Sequence, residues 1–187
     1  MGNVIADFSP TRNNPQRKNK VPILVMNATS MNTGHDWQFT ASFMGEPPRP
    51  IPVSLDAIPR LRRFYYKDDN NTRPYVPMPI GRAVAASAGI PGLFPPTSTG
   101  PWYPNWDVRL SDGGVHDNQG IGSLLELECT LLMVSDASGQ TGGQQLAETG
   151  VIGGAMRANA ILQQRIRELQ FEDLDSKLQA GLIRGFL

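Results

Sequence analysis

Asp112 is the residue in this chain best placed for chemistry. It follows Val108-Arg109-Leu110-Ser111, where apolar and polar residues alternate as on a short strand, and it precedes Gly113 and Gly114. Polar residues come next, then the apolar run Ile121-Gly122-Ser123-Leu124-Leu125. The pattern predicts a strand, a turn and a helix, with a carboxylate where the strand ends. Two glycines after it let the backbone turn sharply and bring N–H groups close to whatever the carboxylate faces. In open α/β sheets, ligands bind outside the carboxyl ends of the strands. An aspartate there is placed for chemistry. Asp-Gly is also a common turn pair, so a turn or helix-cap aspartate is the alternative reading of this segment.

Other chemistries find less support. His35 and His116 are the only histidines and stand far apart, outside any zinc spacing, and Asp112 with Asp117 does not fit a calcium loop. No metal or cofactor is expected. Ser138-Gly139-Gln140-Thr141-Gly142-Gly143 is glycine-rich but lacks the lysine of a phosphate-binding loop, and reads as a mobile loop. Ala85-Ala86-Ser87-Ala88-Gly89 comes within one residue of the Gly-x-Ser-x-Gly nucleophile elbow. The elbow needs a strand entering the serine and a helix leaving it, whereas Ser87 closes a predicted helix before Pro91. A Ser-His-Asp relay through His116 would span a Gly-Gly turn from Asp112, a poor geometry for orienting an imidazole.

The elements that must position Asp112 can be read in order. Ile23-Leu24-Val25-Met26 predicts a strand covered on both faces, and Trp37, Phe39, Ala41 and Phe43 alternate as a second strand, the two forming a hairpin. The prolines of Glu46–Pro59 predict an ordered loop or a lid, and Leu61–Tyr66 a short strand. Pro79 and Gly89 bracket a short helix of small residues. After Asp112 the pattern predicts a helix over Asn118–Glu128, capped by Asp117 or Asn118, and a buried strand over Thr130–Val134. A helical pattern runs from Gln144 to Leu169, interrupted near Gly150–Gly154, and Phe171–Leu187 reads as a further helical piece.

Composition sets the outer bounds. The 187 residues carry 17 basic and 17 acidic side chains, so no global field favours nucleic acid, although Met1–Lys20 is a basic surface segment. One cysteine, Cys129, excludes an internal disulfide and reads as a small buried hydrophobe. No run has the length of a membrane-spanning helix, and Met1–Pro10 lacks the apolar core of a signal peptide.

Three blocks together resemble patatin-like phospholipases. Ala85-Ala86-Ser87-Ala88-Gly89-Ile90-Pro91-Gly92-Leu93-Phe94-Pro95-Pro96 is similar to the family's Ala-Ser-x-x-x-Pro-x-x-Phe-Pro-Pro block. Ser111-Asp112-Gly113-Gly114 resembles its Asp-Gly-Gly/Ala block, and Pro22–Thr29 with Trp37–Thr40 resembles the strand pair that precedes both. The likeness spans roughly residues 21–134. It implies an α/β fold, a three-layer α/β/α sandwich on a mainly parallel sheet. It also implies a lipid acyl hydrolase working through a serine–aspartate dyad, with Asp112 as the catalytic aspartate. Gly113 and Gly114 would allow close approach of substrate, and Phe94 and Trp102, with Tyr103, would line an acyl channel unless they pack in the core.

The family's glycine-rich oxyanion loop and its Gly-x-Ser-x-Gly segment do not occur in this sequence. The resemblance therefore implies the C-terminal half of a patatin domain over residues 21–143. Residues 1–20 form a basic surface segment, and residues 144–187 a helical tail continuing the domain. The implied partners are a phospholipid or other acyl-ester lipid and the upstream half of the same protein, with no nucleic acid. The implied location is the cytoplasm or the periphery of a membrane. The other reading is a non-catalytic lipid-binding or interaction module on the same scaffold.

Overall fold

The structure, a computed structural model, describes residues 14–48, 58–65, 78–136 and 150–187. The chain divides into two compact units, Met1–Gly113 and Gly114–Leu187.

The first unit is built on six strands: β1 (Met26–Ser30), β2 (Asp36–Phe39), β3 (Phe43–Gly45), β4 (Phe64–Tyr65), β5 (Thr97–Ser98) and β6 (Arg109–Asp112). Their order is β4-β3-β2-β1-β6-β5, every neighbouring pair is antiparallel, and the sheet curls into a half-barrel. Cross-strand partners point to the same face. Ala28 lies opposite Trp37 on one side and Asp112 on the other, while Phe39 lies opposite Met44 and Met44 opposite Phe64. One face therefore gathers Ala28, Trp37, Phe39, Met44, Phe64 and Leu110 into a buried core. Tyr103 fills its hollow, edge-on to Trp37 at 6.1 Å and to Phe64 at 5.0 Å between ring centres. The helix α1 (Ile80–Ser87) buries Ala83 and Ala86 in the same core. Residues without bulk on that helix face let it lie close to β1 and β6.

The expected three-layer sandwich on a mainly parallel sheet does not form. Parallel neighbours need a crossover of about a dozen residues or more. Here β1, β2 and β3 follow one another through Met31–His35 and Thr40–Ser42, which are long enough only to reverse the chain. The strand expected over Ile23–Met26 begins at Met26, and Ile23 and Leu24 are exposed. Met26 pairs with Phe39, the last residue of β2, so the preceding residues have no strand to join. The expected hairpin of this strand with the Trp37 strand is present as β1 and β2.

The second unit contains α2 (Ile121–Glu126), β7 (Leu131–Leu132), α3 (Val151–Gln179) and β8 (Gly185–Phe186). Among the described residues β7 and β8 make the parallel pair. Ile121, Leu132, Leu174 and Ile183 form the core, with Phe171 and Phe186 packed against it. Thr130–Val134 is not a buried strand: Leu132 is 1% exposed, but Leu131 and Met133 are 73% and 80% exposed. Leu131-Leu132-Met133-Val134 is apolar throughout, yet only one of its faces is covered. The helix expected from Asn118 starts at Ile121, because Gly120 takes a left-handed conformation (φ 68°).

The interruption expected near Gly150–Gly154 is also absent. α3 runs unbroken through Gly153 and Gly154 for 29 residues and absorbs most of the piece expected separately after Phe171. Gly181 (φ 70°) stops it, with Leu182 N–H donating to the Lys177 carbonyl at 2.9 Å and Gly181 N–H to that of Leu178 at 3.0 Å. Cys129 is half-buried rather than fully enclosed. The expected glycine-rich loop over 138–143, the start of the helix at Gln144, the centre of the proline-rich loop (49–57) and most of the basic segment (1–13) lie outside the described residues.

Candidate active site around Asp112

Asp112 closes β6, is half-buried, and is followed by a one-turn 3-10 helix, Gly113–Val115. Its main chain is held from two sides. Asp112 N–H donates to the Gly89 carbonyl at 3.0 Å, and Ser111 Oγ donates to the same oxygen at 2.9 Å. On the β1 side, Thr29 Oγ1 donates to the Asp112 carbonyl at 2.8 Å. Thr29 and Ser111 are both almost fully buried, so these bonds are shielded from competing water. Gly113 passes so close to β1 that a Cβ on it would sit 2.6 Å from the Asn27 carbonyl oxygen. No larger residue fits there. The glycine is required by contact with the neighbouring strand.

Three segments distant in sequence thus meet at the main chain of Asp112: Asn27–Thr29, the end of α1 at Gly89, and Ser111–Gly113. Ser87 is the last residue of α1, and among the described residues its hydroxyl makes no hydrogen bond to Asp112. It ends a helix instead of sitting at a strand-to-helix turn, as its sequence context predicts. Phe94 is 58% exposed in the turn after α1. Trp102 packs on Phe64 at 5.9 Å and donates its indole N–H to the Thr99 carbonyl at 2.7 Å. Gly114 is buried and opens the second unit, where His116 is half-buried. Asp117 holds the start of α2 with both oxygens, accepting from Gly120 N–H at 2.8 Å and Gly122 N–H at 2.7 Å.

A second polar cluster had no signal in the sequence. Glu46, 1% exposed, accepts from the Thr33 hydroxyl and from Leu61 N–H at 2.8 Å, and lies 3.0 Å from His35 Nδ1. Its members come from the β1–β2 turn, the end of β3 and the segment before β4, with no spacing to link them. Each is buried, so the cluster ties loops together and offers no face to a substrate. The adjacent Tyr103 phenol is raised above its ordinary pKa, first by burial and then by the Glu46 carboxylate, and donates to the Arg62 carbonyl at 2.6 Å. Arg63 donates to Gln38 Oε1 at 2.8 Å and lies 4.0 Å from the centre of the Phe43 ring.

Among the described residues no group of three or more His, Cys, Asp or Glu side chains could hold a metal ion, and no helix is long and apolar enough to cross a membrane. No family model, no curated protein and no solved structure matches this chain.

Proposed function

We propose that Asp112 is the general base of a serine–aspartate acyl hydrolase acting on carboxylic esters of phospholipids or related lipids, the serine coming from a segment outside this sequence. The observation that supports this reading is the convergence on Asp112. The three blocks that resemble patatin-like phospholipases are joined by hydrogen bonds or close backbone contact at that residue.

The chemistry asks little more of this chain. As the serine oxygen attacks the ester carbonyl, Asp112 accepts its proton. As the tetrahedral intermediate collapses, the protonated carboxyl returns that proton to the departing alcohol oxygen, leaving an acyl-serine. Water repeats the sequence, giving up a proton to Asp112 and releasing the fatty acid. A base must hold its position through both halves, and the bonds from Thr29 and to Gly89 fix the backbone that carries it. The absence of a Gly-x-Ser-x-Gly segment here favours the second reading, a lipid-binding module without turnover.

Hydrolysis of a short p-nitrophenyl ester separates the two. The 187-residue chain alone should stay at buffer background. Joined to the coding segment upstream of Met1, it should turn over, and Asp112→Asn should reduce the rate by about 10² to 10⁴, the contribution of a positioned base. Esterase activity in the chain alone that survives Asp112→Asn would overturn the assignment. Lipid binding without turnover in the joined protein would support the module reading.

A further inference from the structure

At the end of β6 opposite Asp112, an open hollow of about 430 Å³ is lined by Ser98, Tyr103, Asn105, Trp106 and Asp107 among others. At about 3.3 Å per residue, Asp107 is roughly 16 Å along the chain from Asp112, so the hollow is separate from that site. Its volume falls in the range of small-molecule sites, about 300–1,000 Å³.

The lining is built on fixed supports. Tyr103-Pro104-Asn105-Trp106 forms a tight turn closed by Trp106 N–H to the Tyr103 carbonyl at 3.3 Å. Proline stands at its second position and Asn105, with φ 65°, at its third, as a type II turn requires. The turn presents Trp106, which is 43% exposed and whose indole N–H makes no hydrogen bond among the described residues. Beside it, Asp107 is oriented by Ser98 Oγ at 3.1 Å and by two nitrogens of Arg109 at 2.6 and 2.9 Å. Asn32 fixes this stretch from below, donating to the Asp107 carbonyl at 3.1 Å and accepting from Arg109 N–H at 2.8 Å. Arg109 and Ser98 also hold the Asp107 carboxyl below the usual carboxylate range.

Charge decides the class of ligand. The Asp107 carboxylate is already matched by the Arg109 guanidinium, so a cation would gain little from the acid and would meet the arginine. An anion would meet the aspartate. A neutral ligand faces no such opposition. The exposed indole offers a flat apolar surface beside the polar groups, and Asp107 and Asn105 in the lining provide acceptors and donors within a few residues. We propose that this hollow binds a neutral saccharide, one ring face stacked on Trp106 and adjacent hydroxyls hydrogen-bonded to Asp107 and Asn105 of its lining. The proposal does not depend on the acyl-hydrolase reading.

The chain has three tryptophans, so its ¹H–¹⁵N spectrum carries three indole N–H signals, and Trp106→Ala identifies the one at issue. Titration with cellobiose or lactose should shift that signal saturably at millimolar concentration and leave the Trp37 signal in place. In Trp106→Ala, with an unchanged Trp37 signal as evidence of folding, the remaining indoles should not respond. Arg109→Ala frees the carboxylate and should lower the response to the disaccharides while creating one to phosphocholine. No shift with either disaccharide overturns the proposal. So does a saturable shift with phosphocholine or adenosine in the unsubstituted chain where the disaccharides give none.

Discussion

The backbone of Gly113 touches that of Asn27: a methyl group on Gly113 would lie 2.6 Å from the Asn27 carbonyl oxygen and 3.0 Å from its carbon. The obstruction is main chain, which has no rotamer with which to move aside. Gly113→Ala must therefore push β6 away from β1 and stretch the Thr29–Asp112 bond. Overpacking of this kind costs about 1–3 kcal/mol. Urea unfolding should show the loss as a lower midpoint. Gly81→Ala is the comparison, since its added methyl meets nothing within 4 Å and it lies in the first turn of α1, where alanine is well accepted. If the two substitutions cost the same, steric contact with Asn27 is not what requires glycine.

Glu46 offers a sharper loss. Its carboxylate answers the Thr33 hydroxyl, the Leu61 N–H and His35 at a site with almost no exposed surface. Glu46→Ala strands all three in a dry environment and should destabilise by about 3 kcal/mol or more, each stranded buried group costing about 1–3 kcal/mol. Glu46→Gln keeps the shape and one acceptor, so it should cost about 1–3 kcal/mol. Chemical denaturation of both variants checks the order, and an alanine variant as stable as the glutamine one would contradict it.

Tyr103 should make stability fall in strong alkali. Its phenol stays protonated in the fold to a higher pH than in the unfolded chain, because burial and the Glu46 carboxylate disfavour the phenolate. A raised pKa contributes stability that is fully present below the unfolded value of about 10 and is lost as pH climbs above it. Above that point the native state binds more protons than the unfolded one, so the slope of stability with pH is negative. Tyr103→Phe should remove this part of the slope. It should also cost about 1–3 kcal/mol at neutral pH, because the Arg62 carbonyl loses its donor. Stability curves from pH 8 to 11 for the two proteins test the sign.

The place of Asp112 at a strand end was more legible than the fold. Alternation in Val108–Ser111 locates the end of a strand at Asp112, and the polar residues after it locate the approach to α2. The Trp37 and Phe39 alternation likewise gives β2 and its buried face. Strand direction was not legible, because periodicity records which face is apolar and carries no information about the neighbour. Pairing of β1 with β6, which brings Thr29 to Asp112, spans more than eighty residues and leaves no local trace. The resemblance to a parallel-sheet family pointed the wrong way on architecture, while the short connections around β2 decide it. The Glu46 cluster was invisible for the same reason as the β1–β6 pairing: its members share a place and no spacing.

Length and composition also failed to divide α3, and its two halves should respond differently to truncation. Leu174 is fully buried, packed with Ile121, Leu132 and Ile183, whereas Leu162, three turns earlier on the same helix, is 62% exposed. Both are leucines in helix interior, so replacement by alanine changes helix propensity alike and slightly favourably. Any difference between them comes from packing. Leu174→Ala should cost about 2–5 kcal/mol through lost burial and a residual cavity, and Leu162→Ala should stay within about 0.5 kcal/mol of the parent. Because Leu174 belongs to the core of the second unit, amide exchange in α2 and β7 should accelerate in that variant. Amides of β1 and β2, whose core lies in the first unit, provide the internal reference. Equal effects at the two leucines would mean that the first half of α3 is covered in solution, and the assignment of Leu162 to an exposed face would fall.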